Sequence, residues 1–264
     1  MFQRSYYRTI WISDVHLGSR ACKASSLLDF LHHHIAETLY LVGDIVDGWN
    51  WGPSWHWSPA QQAVVDEVVQ WRRAGVNVVF VPGNHDEGKI GLVEDLLGRI
   101  PSVSSLIHTT ADGGKMLVIH GHQFDGSLNP NRLLPMIGAH AYARAQRIHD
   151  WYSRQTEQGS TEARSLSDFF RYPARKAIEF LTDFRDRAVL AAARDHKADG
   201  VICGHIHRSD HRLIGNILYA NDGDWVQNRT AVVEERSGAL QVVRWSHSQP
   251  NIPVPEPMPP EVTP

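Results

Sequence analysis

Five short blocks in this chain carry residue types that bind metals and move protons. They are Ile12-Ser13-Asp14-Val15-His16, Gly43-Asp44-Ile45-Val46-Asp47, Gly83-Asn84-His85-Asp86, His120-Gly121-His122 and Gly204-His205-Ile206-His207. Carboxylate, imidazole and amide donors without thiolate suit Mn²⁺, Fe, Co²⁺ or Zn²⁺ better than Ca²⁺ or a soft metal. The supply of such ligands exceeds what one tetrahedral zinc needs, so two cations sharing a bridge are the economical reading. A bound pair of this kind generates hydroxide near neutral pH and neutralises charge on the oxygens of the group being attacked, which is the chemistry of metal-assisted hydrolysis. No G-x-S-x-G elbow and no P-loop competes with that reading.

The blocks must be brought together by the elements before them, and each follows a short apolar run: TIWI, LYLV, VVFVP, MLVI and GVIC. Such runs predict buried strands. A strand that ends in a polar Asp-x-His or Gly-His-x-His turn delivers its side chains to one edge of a sheet. One block alone would be an ordinary solvated turn; five in order are not. Between them, Ser25 to His34 predicts a helix with Leu27, Leu28, Leu31 and Ile35 on one face. Ser58-Pro59 opens a second helix through Val64, Val65, Val68 and Trp71 to a stop at Gly75. This βαβ rhythm predicts parallel strands with helices on their faces. Ile217 to Tyr219, Arg229 to Glu234 and Leu240 to Trp245 predict a second, more antiparallel sheet. The expected fold is α/β, a four-layer α/β/β/α sandwich of two mixed sheets with a helical insertion capping the metal site.

On these five blocks the chain resembles the calcineurin-like metallophosphoesterases, over about the first 125 residues and the stretch near 199 to 225. The resemblance implies that Asp14, His16, Asp44 and His207 hold one metal, and that Asp44, Asn84, His120 and His205 hold the other. Asp44 is then the bridge, in keeping with the two oxygens of a carboxylate against the single ion served by an imidazole nitrogen. It also implies two divalent ions as cofactor, with Mn²⁺ first and Fe, Zn or Co as alternatives. His85 is expected to be the general acid, and Asp47 and Asp86 either to act behind the ligands or to cap their turns. His122 is expected either at the rim or behind the ligands, and the His32-His33-His34 run reads as a surface helix end.

With 264 residues, 42% of them hydrophobic, and a net charge of −3, the chain holds ample core and no global basic field. Nucleic acid is therefore not an expected partner. No stretch of 18 uncharged apolar residues appears, and the N-terminus lacks a signal-peptide pattern. A cytoplasmic setting is expected, with peripheral association at the inner membrane surface open. Cys22 and Cys203 are expected to remain thiols, the second inside a strand. Residues 1–249 read as one catalytic domain with a helical insertion over about 128–197, and 250–264, with seven prolines, as an extended or disordered tail.

Two features bear on the substrate. Four of the nine tryptophans fall between Trp49 and Trp57, directly after a ligand block, where they stack on a substrate, line an apolar channel or simply pack. The insertion carries Arg171, Arg175 and Lys176, candidates for gripping phosphate. Trp49 and Trp51 with these three are the substrate-binding candidates. Within the superfamily, the insertion between the HGH and GHIH blocks and the Trp-rich loop make the chain similar to the UDP-2,3-diacylglucosamine pyrophosphatase family. That likeness implies hydrolysis of a lipid-linked nucleotide-sugar pyrophosphate to UMP and a lipid sugar phosphate. The lipid-A enzymes carry Arg where this chain has His85, and GNHD is the general superfamily form. The alternative is a metallophosphodiesterase or phosphatase acting on nucleotides or other phospholipid head groups.

Overall fold

The computed structural model describes residues 4–124 and 185–246. The chain divides into two compact units, Met1–Gly121 with His196–Pro264, and His122–Asp195. In the second unit, residues 185–195 are helical. Most of the expected insertion, Arg171, Arg175 and Lys176 within it, and the proline-rich tail lie outside the described residues.

The first unit is built on two five-stranded mixed sheets. One has the order β10-β9-β1-β2-β3, from β1 (Ser5–Ile12), β2 (His34–Val42), β3 (Asn77–Val81), β9 (Thr230–Glu234) and β10 (Leu240–Arg244). The other has the order β4-β5-β6-β8-β7, from β4 (Leu106–Thr109), β5 (Lys115–Val118), β6 (Gly200–Cys203), β7 (Asp210–Ile214) and β8 (Ile217–Asn221). β1, β2 and β3 run parallel in the first sheet, as do β5, β6 and β8 in the second.

Alternation along each strand separates two cores. Ile10, Ile12, Leu39 and Leu41 face helices α1 (Ala24–His33) and α2 (Pro59–Arg73), meeting Leu27, Phe30, Leu31, Val64, Val65, Val68 and Trp71. Trp11, Tyr40 and Val42 point the other way, toward Met116, Val118, Ile202 and Ala220 of the second sheet. Each fully buried side chain of this size stabilises the fold by about 1.5 to 3 kcal/mol. Helix α2 begins as its residues dictate: Pro59 occupies the first turn, and Ser58 Oγ accepts the Gln61 backbone N–H at 3.3 Å. A short helix α3 (Ile90–Leu96) follows the third ligand block.

Two expectations are corrected. β9 and β10 do not join β8 in a second antiparallel sheet; β9 pairs antiparallel with β1, and β10 with β9, so both extend the first sheet. Every residue of β9 is buried, with Val233 in the helix-side core and Val232 between the sheets. An apolar run without alternation is the mark of such a central strand. His34 is not a surface helix end. It is the first residue of β2, buried among Tyr7, Phe30 and Trp245, and burial lowers its pKa. Cys22 and Cys203 are both free thiols, and Cys203 is buried in β6. No helix among the described residues is long and apolar enough to cross a membrane.

Candidate metal centre

All five blocks sit at the C-terminal ends of parallel strands. Asp14 and His16 follow β1, Asp44 and Asp47 follow β2, and Asn84 and His85 follow β3. His120 comes after β5, and His205 and His207 after β6. The C-terminal edge of parallel strands is where α/β sheets place their ligands, and here the two sheets bring those edges to one place.

The backbone that leaves these strands is unusual. Asp14, His16, Asp44, His205 and His207 all have positive φ, between 50° and 72°. Non-glycine residues rarely adopt this region, which costs on the order of 1 to 3 kcal/mol per residue and concentrates at functional sites. The turns hold because neighbouring loops bond across them: Asp14 N–H donates to Gly43 O at 3.0 Å, and His16 N–H to Asp44 O at 2.9 Å. Gly83 lets the third loop approach, since a Cβ there would lie 2.2 Å from Asp44 Oδ1.

Two clusters result. In the first, His207 Nε2 lies 3.1 Å from Asp14 Oδ1, and His16 Nε2 lies 3.9 Å from the same oxygen and 3.3 Å from His207 Nε2. In the second, Asp44, His120 and His205 offer ligand atoms within 4.8 Å of one another. Asp44 faces both ways. Its Oδ1 is 3.4 Å from His120 Nε2, and its Oδ2 is 3.9 Å from His16 Nε2. His120 Nδ1 lies 2.7 Å from Val42 O, an acceptor only, so Nδ1 carries a proton and Nε2 is the ring atom turned toward the carboxylate. A proton on Nε2, or a cation in its place, satisfies this pair of atoms. Burial opposes charging His120, but the Asp44 hydrogen bond and the charges of Asp14 and Asp44 outweigh it and raise its pKa to about 9.

Asn84 Oδ1 is buried with no hydrogen-bond partner among the described residues. That orphaned amide oxygen, the facing imidazole nitrogens and the nitrogen and oxygen donor set fit divalent cations. The side chains that can hold them are Asp14, His16, Asp44, Asn84, His120, His205 and His207.

His85 belongs to a third group, with His16 and Asp47, whose ligand atoms also lie within 4.8 Å of one another. Its Nε2 is 3.9 Å from Asp44 Oδ2, its backbone N–H donates to Asp44 Oδ1 at 2.8 Å, and its Nδ1 lies 2.9 Å from Asp47 Oδ1. Asp47 thus sets the tautomer and aim of the ring. Trp49, 67% exposed, stacks on the other side of that ring with centroids 3.8 Å apart. Asp86 takes the turn-capping role: it accepts the backbone N–H groups of Gly83 and Val46, each at 2.9 Å, and ties two ligand loops together. Its pKa is raised to about 6, first by burial.

Trp51, Trp55 and Trp57 pack on one another, with Trp51–Trp55 centroids 4.4 Å and Trp55–Trp57 centroids 5.5 Å apart. With Val46, Leu92, Val93 and Leu96 they line an apolar groove of about 290 Å³ between the Trp-rich loop and α3. Lys89 Nζ lies over the Trp51 ring at 5.7 Å.

The structure adds residues that the motifs did not name. Asn221 and Asp222 are fully buried behind the fifth block, and Asn221 Nδ2 donates to Gly204 O at 2.7 Å. Asn228 Nδ2 donates to His207 O at 2.7 Å, and Asp224 Oδ2 lies 3.9 Å from His207 Nδ1. The only sequence signal was the Asp222-Gly223-Asp224-Trp225 turn, which looks like any acidic turn until its burial is known.

Comparison with known proteins agrees with this geometry. Residues 7–209 match the family described as calcineurin-like phosphoesterase. A UDP-2,3-diacylglucosamine hydrolase of Cellvibrio japonicus is 25% identical over 209 residues, covering 76% of this chain and 82% of that protein. The enzyme of the same name from Aeromonas salmonicida is 31% identical over 123 residues, 43% of this chain and 44% of that one. Among solved structures, a hypothetical protein of Pyrococcus horikoshii shares the fold with a TM-score of 0.50 at 10% identity, covering 92% of this chain and 89% of that chain.

Proposed function

This chain belongs to the calcineurin-like phosphoesterase family and is a phosphoester hydrolase, and from that premise we propose that it works with two divalent metal ions, Mn²⁺ first among them, on a lipid-linked pyrophosphate such as UDP-2,3-diacylglucosamine. Asp14, His16, Asp44 and His207 hold one ion; Asp44, Asn84, His120 and His205 hold the other. The observation that carries the metal reading is Asp44, whose two oxygens face separate imidazole clusters. When bound, the cations supply an activated water near neutral pH and neutralise phosphoryl charge.

The chain's own residues do the rest. His85, aimed by Asp47 and backed by Trp49, donates the proton that the departing oxygen needs. The Trp51, Trp55 and Trp57 groove takes apolar carbon at roughly 0.8 kcal/mol per buried CH₂, and its volume sits at the lower end of ligand pockets. Arg171, Arg175 and Lys176 are the cations proposed for the phosphates on sequence grounds. Peripheral contact with the cytoplasmic membrane surface follows from a lipid substrate. The similarity to two UDP-2,3-diacylglucosamine hydrolases supports this substrate class.

The second reading, a metallophosphodiesterase acting on nucleotides or other soluble esters, is favoured by one position: His85 gives the block its general GNHD form. A hydrolysis panel with Mn²⁺ separates the two. Release of UMP from UDP-2,3-diacylglucosamine, with a specificity constant that climbs with acyl length and falls in Trp51→Ala, supports the lipid reading. Efficient cleavage of a soluble aryl phosphodiester with none of the lipid substrate turned over would leave the second reading standing.

A further inference from the structure

Behind the first ligand cluster, Ser13 Oγ lies 2.6 Å from Asp14 Oδ2 and 2.5 Å from Asp222 Oδ1. A hydroxyl carries one proton and cannot donate to two carboxylates at once. If both acids were ionised, one of these contacts would set two oxygen lone pairs against each other with no proton between them, in a place without solvent. One of the two acids therefore brings a proton of its own.

The surroundings of each acid decide which. Asp14 Oδ2 also accepts the His205 backbone N–H at 2.8 Å, and Asp14 Oδ1 faces His207 Nε2 at 3.1 Å. Those partners stabilise a carboxylate, and ionised is the form in which Asp14 serves a cation. Asp222 is fully buried, its Oδ2 has no hydrogen-bond partner, and no ion pair involving it occurs among the described residues. An isolated buried carboxylate is far too costly to keep ionised. Gly204 keeps this arrangement closed, since a Cβ there would lie 2.1 Å from Ser13 Oγ.

We propose that Asp222 is a neutral carboxylic acid and a positioning residue for Asp14, donating its proton to Ser13 Oγ while the Ser13 hydroxyl donates to Asp14 Oδ2, so that Asp14 Oδ1 stays aimed at the cation beside His207. The inference rests on the reading of Asp14 as a ligand, and its test separates the two. Infrared difference spectra of wild type against Asp222→Asn at neutral pH should show one protonated-carboxyl C=O band that the variant lacks. This arm needs no metal, and absence of the band overturns the proposal. Asp222→Asn keeps a neutral donor beside Ser13 and should bind Mn²⁺ close to wild-type affinity in a calorimetric titration. Asp222→Ala and Ser13→Ala should each weaken that binding by about 10- to 100-fold, as loss of a group supporting a ligand does. If Asp222→Asn folds, by circular dichroism, yet loses Mn²⁺ as badly as Asp222→Ala, an ionised carboxylate is required and the proposal fails. If wild type shows the band but binds no Mn²⁺, the ligand reading fails while the protonation stands.

Discussion

At the scale of single residues, the site separates into groups that would hold cations and one group placed to move a proton. His85 offers Nε2 toward the clusters while Asp47 fixes its other nitrogen at 2.9 Å. His85→Ala is therefore expected to slow the chemical step by about 10²- to 10⁴-fold while metal content, read by elemental analysis, stays at the wild-type level. Loss of metal in that variant would make His85 part of the metal-holding frame instead. Asp47→Ala removes the carboxylate that holds His85 Nδ1, so it should lower turnover by a smaller factor, about 10- to 100-fold, and add little when combined with His85→Ala. A double-mutant cycle on the rate constant checks this, and additive losses would separate the two residues. These residues were legible in the sequence because their side-chain types are scarce together and their spacing is short. Asp222 was legible only as part of a turn that could reach the site rim or be an ordinary acidic turn. A buried acid and an exposed one are the same letter, and only the fold tells that Asn221 to Trp225 pass behind the ligands with no exposure.

At the scale of elements, the strands do more than carry the ligands, because their ends set the backbone in the left-handed region at five of the candidate positions. That conformation is held by close loop contacts, and Gly83 is the tightest of them on Asp44. Gly83→Ala is expected to push the Asp44 carboxylate aside and to cost both metal and activity. Ser58→Ala, which removes only the cap of α2 on the far side of the sheet, should lower stability by about 1 kcal/mol and leave specific activity unchanged. Thermal unfolding and a steady-state assay on the pair would show whether the ligand loops are as constrained as their contacts indicate; an active, metal-replete Gly83→Ala would show that they are not. Strand positions and α2 could be read from local pattern, since apolar runs and Ser-Pro caps are local signals. Sheet membership could not. β9 and β10 carry the same signals whichever sheet they join, and the strand that ties β9, and through it β10, to the first sheet is β1, more than 200 residues away in sequence.

At the scale of the whole unit, one buried carboxylate links the two sheets. Glu234 at the end of β9 accepts from Arg8 at 2.5 Å, from Thr9 at 2.7 Å and from the Ala111 backbone N–H at 2.8 Å, with His108 Nε2 at 3.0 Å. Burial would raise its pKa, but these partners outweigh burial and lower it to about 2 from an ordinary value of 4.5. A carboxylate depressed on folding stabilises the native state above its unfolded pKa, and that contribution is lost as pH falls through the folded value. Stability should therefore decline by on the order of 3 kcal/mol between about pH 4.5 and pH 2 on account of this residue. Glu234→Gln should be less stable at pH 7 and should flatten that part of the profile in denaturant titrations; an unchanged acid limb would remove Glu234 from the account.

The same unit brings the ends of β1, β2, β3, β5 and β6 together, and the central claim is that this convergence holds two metal ions bridged by Asp44. The most direct measurement is the metal content of protein purified without chelator and reconstituted with Mn²⁺, taken together with its hydrolytic rate. Two ions per chain, falling together with activity in Asp44→Ala, is the predicted result; full activity with one ion or fewer per chain would contradict it.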